Sequence, residues 1–272
     1  MGWLRDRTFT AATRMLTKPR ATYTLRCPNS VANLRSVVCK GDVVLVDGEQ
    51  RVSEVIKFLT QSSWSHAALY VGDELLRRYP DRRAELFAAY GDDAHHLVIE
   101  ALMDSGVVAS PLSKYARYNL RVCRPHGLRP VDLQRMFDEV LAQIGLRYDV
   151  KNVIDLARYF FPVHLLPRRF HRRALEVGSG RPTEVICSSL IARAFQNVGF
   201  PILPDTEPVP SVVPLGRMAR WWHRHDPYPV VFRRQKCALI TPRDFDLSPY
   251  FGVVKFNAIE AAAFDYRRVR WA

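Results

Sequence analysis

Apolar and polar positions along this chain follow two rhythms. In the first half the apolar residues gather in short runs bounded by glycine, aspartate or proline. Val43-Val44-Leu45-Val46, His66-Ala67-Ala68-Leu69-Tyr70-Val71 and Leu97-Val98-Ile99-Glu100-Ala101-Leu102 predict strands, with weaker candidates at 106–109 and 120–123. Between them, Val52, Val55, Ile56 and Leu59 lie at helical spacing within 51–61, and the mixed charges of 73–93 predict surface helix and loop. In the second half the period lengthens. Helices are expected over 131–144, after Pro130 and up to Gly145, over 149–161, stopped by Pro162, and over 184–198. The last is the cleanest, with Ile186, Leu190, Ile191, Ala194, Phe195 and Val198 on one stripe and Gly199 behind it. A proline-rich loop follows over 201–214, and the tail holds strand candidates at 230–232 and 237–240. Near the start, 3–18 reads as a short basic helix ended by Pro19. Strands first and helices later predict an α+β layer fold, organised as a basic N-terminal arm over 1–35 and one domain over 36–272.

Charge changes this picture more than size does. With 40 Lys and Arg against 27 Asp and Glu, the net charge of +13 implies an anionic partner, whether nucleic acid, acidic lipid or a negatively charged substrate. No nucleic-acid-binding motif accompanies the charge, so nucleic acid is disfavoured. The five cysteines, Cys27, Cys39, Cys123, Cys187 and Cys237, form no C-x-x-C pair. That speaks against a disulfide framework or a structural zinc site and suits a reducing compartment. The start, Met1-Gly2-Trp3-Leu4-Arg5-Asp6-Arg7, has no apolar core of a secretory signal before Pro19, and no stretch nears the length that spans a bilayer. The expectation is a cytoplasmic protein, or one peripheral on the inner face of the membrane.

Three residues carry candidate chemistry. Cys187 falls in the first turn of the cleanest helix, where unpaired backbone N–H groups and the positive end of the dipole favour a thiolate and a developing oxyanion. His66 opens a strand, with His66, Ala68 and Tyr70 expected on one face and Ala67, Leu69 and Val71 on the other. Glu100 interrupts an apolar strand, where a carboxylate needs either water or a partner such as an imidazole. Each has an ordinary structural alternative: a small core cysteine, a hydrogen-bonded histidine, a wet strand edge. Together they supply a nucleophile, a base and an orienting carboxylate.

The ordered segments Gly41-Asp42-Val43-Val44-Leu45-Val46, Ser65-His66-Ala67-Ala68-Leu69-Tyr70-Val71-Gly72, Val98-Ile99-Glu100-Ala101, Gly145-Leu146-Arg147-Tyr148-Asp149 and Ile186-Cys187-Ser188-Ser189-Leu190-Ile191, with the tail Thr241-Pro242-Arg243-Asp244-Phe245, resemble the permuted papain-like amidases. These are the YiiX-like branch of the NlpC-type cysteine hydrolases. The resemblance implies a circularly permuted papain-like fold, an antiparallel sheet packed against the helix that bears the nucleophile. It implies Cys187 as nucleophile, His66 as base and Glu100 as the third, orienting residue, with Tyr148 and Ser188 as candidates for contact with substrate or oxyanion. No cofactor and no metal are expected.

The basic arm and the segment 159–173, which mixes Tyr159, Phe160 and Phe161 with Arg168, Arg169, Arg172 and Arg173, depart from the family pattern and leave the substrate open. The segment suits an anionic lipid interface, or a core helix with a solvated basic loop. His95-His96 and His223-Arg224-His225 read as surface or packing histidines rather than metal ligands, and no G-x-S-x-G elbow points to a serine hydrolase. The expected activity is cleavage of an amide, thioester or ester by a thiol amidase or peptidase, with a peptide, acyl amide or lipid-like substrate. A cysteine acyltransferase and a non-catalytic basic module for anionic membranes stand as alternatives.

Overall fold

The computed structural model describes residues 23–26, 29–102, 105–146, 187–203, 206–208, 230–232 and 235–256. Helix α1 (Val31–Val37) leads into strand β1 (Val43–Asp47), α2 (Arg51–Thr60), β2 (His66–Gly72), α3 (Glu74–Arg78), α4 (Arg83–Tyr90), β3 (Leu97–Leu102) and β4 (Gly106–Pro111). After a 3-10 turn at Leu112–Arg117 come β5 (Asn119–Pro125), α5 (Pro130–Leu141), α6 (Cys187–Asn197), β6 (Thr206–Pro208), β7 (Val230–Phe232), α7 (Pro242–Leu247) and β8 (Phe251–Val254). Six strands form one antiparallel sheet in the order β4-β3-β2-β1-β5-β8, and β6 pairs with β7 apart from it.

The central strands read as unbroken apolar runs because both faces of the sheet are covered. On one face Val43, Leu45, Ala67, Leu69, Val71, Ile99 and Cys123 pack under α5 and α6, against Met136, Phe137, Leu190, Ile191 and Phe195. On the other, Val44, Val46, Ala68, Tyr70, Val98 and Val122 are covered by Leu34 of α1 and by Leu112 and Tyr115 of the 3-10 turn. The alternation along β2 is the one its sequence predicts. Helix α1 spans the division at 35/36, with Leu34 fully buried.

Helix α6 stands where its apolar stripe can pack. Phe195 is fully buried and meets the rings of Phe200, Phe245 and Phe251 at centroid distances of 5.3, 6.2 and 5.2 Å. Behind the helix, Gly199 takes φ +76°, a conformation a side chain would strain. From α6, Arg193 and Asn197 bond Glu139 of α5, which ties the two helices together.

Several tail elements differ from the sequence expectation. The run 237–240 is not a strand: Cys237–Leu239 forms a 3-10 turn, because it delivers the chain into the capping box of α7, where Thr241 and Asp244 cap each other's backbone and Pro242 starts the helix. Part of the proline-rich stretch, Thr206–Pro208, is a strand paired with Val230–Phe232. Strand β8 escaped the pattern because it is short and carries Gly252, where a Cβ would lie 2.8 Å from the His126 ring. The expected helices at 3–18 and 149–161, and the segment 159–173, lie outside the described residues. Among the described residues no helix is long and apolar enough to cross a membrane.

Candidate active site

The sheet opens where the site is built. Pairing of β2 with β3 ends at Leu69↔Ile99. Continued by two residues it would set Ala67 against Ala101, but the Ala67 N–H donates instead to the Cys187 sulfur at 3.3 Å. An amide that would extend the strand ladder thus binds the sulfur. Cys187 sits at the described start of α6, is 8% exposed and packs with the core on the α5–α6 face.

His66, by strand alternation, lies with Ala68 and Tyr70 on the opposite face. Its position at the splayed end of β2 brings the imidazole close enough to the sulfur for each group to shift the other's protonation. The Nε2 nitrogen is engaged with Glu100 Oε2 at 2.7 Å, which leaves Nδ1 to face the thiol. Glu100 is fully buried, and the cost of burying it is offset by its partners. Besides the imidazole, Lys114 Nζ donates to Oε1 at 2.7 Å and the Tyr115 hydroxyl donates to Oε2. The Tyr115 ring lies 6.1 Å from the imidazole, centroid to centroid.

The surroundings decide the charge states. Burial alone lowers the His66 pKa, but the Cys187 sulfur and then Glu100 outweigh it and raise it from 6.5 to about 10. Burial alone raises the Cys187 pKa, yet the His66 charge, followed by the Ala67 and Ser188 amides, brings it below its ordinary 9.0. For Glu100 too, burial opposes ionisation, and His66 and Lys114 hold the carboxyl well below its ordinary 4.5. Tyr115 is pushed well above 10.0 by burial and by Glu100, so it remains a donor. These directions favour a thiolate–imidazolium pair backed by a carboxylate, the arrangement that makes a cysteine nucleophilic.

Of the residues singled out from the sequence, Cys187, His66 and Glu100 come together. The buried Ser188 hydroxyl donates to the Ile240 carbonyl at 2.6 Å, so that side chain ties α6 to the tail, while its backbone N–H helps lower the Cys187 pKa. Tyr148 lies outside the described residues, as do His223 and His225. Ser65 accepts from the Gly48 N–H at 2.9 Å. His96 meets the Tyr70 hydroxyl at 2.9 Å, and His95 packs edge-on to Phe87. Among the described residues no group of three His, Cys, Asp or Glu is arranged to hold a metal.

Sequence reasoning missed Lys114, Tyr115 and the Ala67 amide. The local signal is faint: Leu112 and Tyr115 are both buried in a short 3-10 turn, and nothing in its sequence names Glu100 as a target.

Comparison with known proteins gives a partial frame. No curated protein matches the chain. Among solved structures, a metalloprotein yiiX from Escherichia coli O157:H7 aligns at 16% identity and a TM-score of 0.43, covering 80% of this chain and 96% of its own. The model of a permuted papain-like amidase enzyme family, YaeF/YiiX, C92, matches residues 37–161, a span that contains His66 and Glu100 and ends before Cys187. The resemblance carried by the ordered motifs is therefore to the permuted papain-like amidases of the YaeF/YiiX, C92 family, cysteine hydrolases of the amidase and peptidase class.

Proposed function

We propose that this protein hydrolyses an acyl amide or acyl thioester through a covalent intermediate on Cys187. The observation that carries the reading is the convergence of Cys187, His66 and Glu100 from a helix and two strands: Glu100 bonds the imidazole, the amide next to His66 bonds the sulfur, and sulfur and imidazole shift each other's protonation.

The Cys187 thiolate attacks the acyl carbon and the carbonyl π electrons move onto oxygen. Backbone N–H groups in the first turn of α6 stabilise that oxyanion, each such donor being worth roughly 10²–10³ in rate. The His66 imidazolium gives its Nδ1 proton to the leaving nitrogen or sulfur as the bond to the acyl carbon breaks, leaving an acyl thioester on Cys187. Neutral His66 then takes a proton from water, the hydroxide adds to the thioester, and the thiolate departs beside a re-formed imidazolium. Glu100 keeps the ring turned toward the sulfur and stabilises its charge. His66 acts first as acid and then as base, because the thiol proton already resides on the ring in the resting site.

A membrane-proximal or lipid-linked acyl donor is favoured by the net charge of +13. The test is incubation with acyl amides and thioesters of graded chain length, followed by intact mass measurement. Wild type is expected to gain one acyl mass on Cys187 and to release acid, and Cys187→Ala to do neither. Undiminished turnover by Cys187→Ala would overturn the reading.

A further inference from the structure

We infer that Tyr115 and Lys114 are positioning residues that act on Glu100 and, through it, on the Cys187–His66 pair; the inference rests on the hydrolase reading above. Both oxygens of the Glu100 carboxylate are occupied. Oε2 accepts from His66 Nε2 and from the Tyr115 hydroxyl, and Oε1 accepts from Lys114 Nζ at 2.7 Å. A carboxylate gripped at both oxygens cannot rotate without losing one contact, so its line to the imidazole is fixed.

The two residues also hold each other. The Lys114 ammonium lies 5.3 Å from the Tyr115 ring centroid, a cation–π arrangement. Tyr115 is braced from behind by Tyr118 in an edge contact at 5.8 Å. Tyr118 in turn donates to Glu49 at 3.0 Å and meets the Tyr23 ring at 6.0 Å. Charge completes the case. From sulfur to Nζ the signs alternate: thiolate, imidazolium, carboxylate, ammonium. Lys114, with its side chain 36% exposed, is the solvent-facing end of that series, and without it the buried site would hold one uncompensated anion.

The roles of the two differ. Removing the ammonium makes both the imidazolium harder to deprotonate and the thiolate harder to form, so both limbs of a pH profile move up. Removing the phenol leaves the charges in place and loosens the aim of the carboxylate. The experiment is the pH dependence of Cys187 alkylation by iodoacetamide, with kcat and KM on an acyl substrate and a melting temperature for each variant. Lys114→Met, with Lys114→Gln as a second replacement, is expected to shift the alkylation midpoint upward by roughly half a pH unit. Lys114→Arg is expected to restore the wild-type profile. Tyr115→Phe is expected to lower kcat by about tenfold with KM unchanged. If wild-type Cys187 reacts no faster than the exposed Cys39 at mildly acidic pH, the hydrolase reading itself fails. If wild-type Cys187 is activated while the Lys114→Met, Lys114→Gln and Tyr115→Phe proteins match it in profile and kcat, only the present inference is overturned.

Discussion

The two faces of the sheet divide the work of the site. On the face under α5 and α6, aliphatic and aromatic side chains pack closely and contribute one reactive atom, the Cys187 sulfur. On the other face a histidine, a carboxylate, a phenol and an ammonium form one hydrogen-bonded series among apolar neighbours. The first face fixes where the nucleophile stands. The second fixes which atoms carry charge. They meet because β2 separates from β3 beyond Leu69, which exposes the Ala67 amide to the sulfur and leaves room for the ring of His66 beside it. A fully laddered sheet would insulate one face from the other, and a buried histidine with no anionic partner would be neutral rather than cationic.

Changes on the two faces should therefore fail in different ways. The largest effect is expected from Cys187→Ala, which removes acyl-enzyme formation entirely, as intact mass will show. His66→Ala should cut kcat/KM by roughly 10²–10⁴ while leaving the fold intact by circular dichroism. On the apolar face, Phe195→Ala should destabilise the protein by about 3–5 kcal/mol in urea titration. The fraction still folded should keep the wild-type pH profile, because no charge has been touched. Glu100→Gln should lower kcat by roughly a hundredfold, since it keeps the shape and loses the anion that stabilises the imidazolium.

The smallest effect is on stability against pH. A raised His66 pKa contributes stability that is complete below 6.5 and lost as pH rises toward about 10. A lowered Cys187 pKa contributes stability that is complete above 9.0 and lost as pH falls through the folded value. Below 9.0, and above both 6.5 and the folded Cys187 value, the two opposite slopes cancel, since folded and unfolded chains hold the same number of protons on this pair. Urea midpoints should show a plateau there, with decline on both sides, and the acid decline should weaken in Cys187→Ala.

Much of the sheet could be read from the chain because β1, β2 and β3 are apolar runs closed by polar residues, and burial on both faces makes such runs continuous. The α6 stripe was equally plain, and Cys187, His66 and Glu100 stood out as residue types at odds with their neighbours. The Lys114–Tyr115 clamp did not, because its meaning lies in a contact with Glu100 across β4, and a 3-10 turn has no periodicity long enough to recognise. Strand β8 was hidden by brevity and by Gly252, whose pressure comes from His126 in a distant loop. The run at 237–240 misled because an apolar tetrapeptide fits a strand or a turn equally well until the α7 cap after it is considered.

The central claim is that Cys187 is a thiolate at rest, held by the imidazolium of His66. Its most direct measurement is the ultraviolet thiolate absorbance of wild type minus that of Cys187→Ala, followed as pH is lowered from neutrality. The account predicts a thiolate signal at neutral and mildly acidic pH that disappears in His66→Ala. A signal that emerges only near the ordinary thiol value of 9.0, and is the same in His66→Ala, would contradict it.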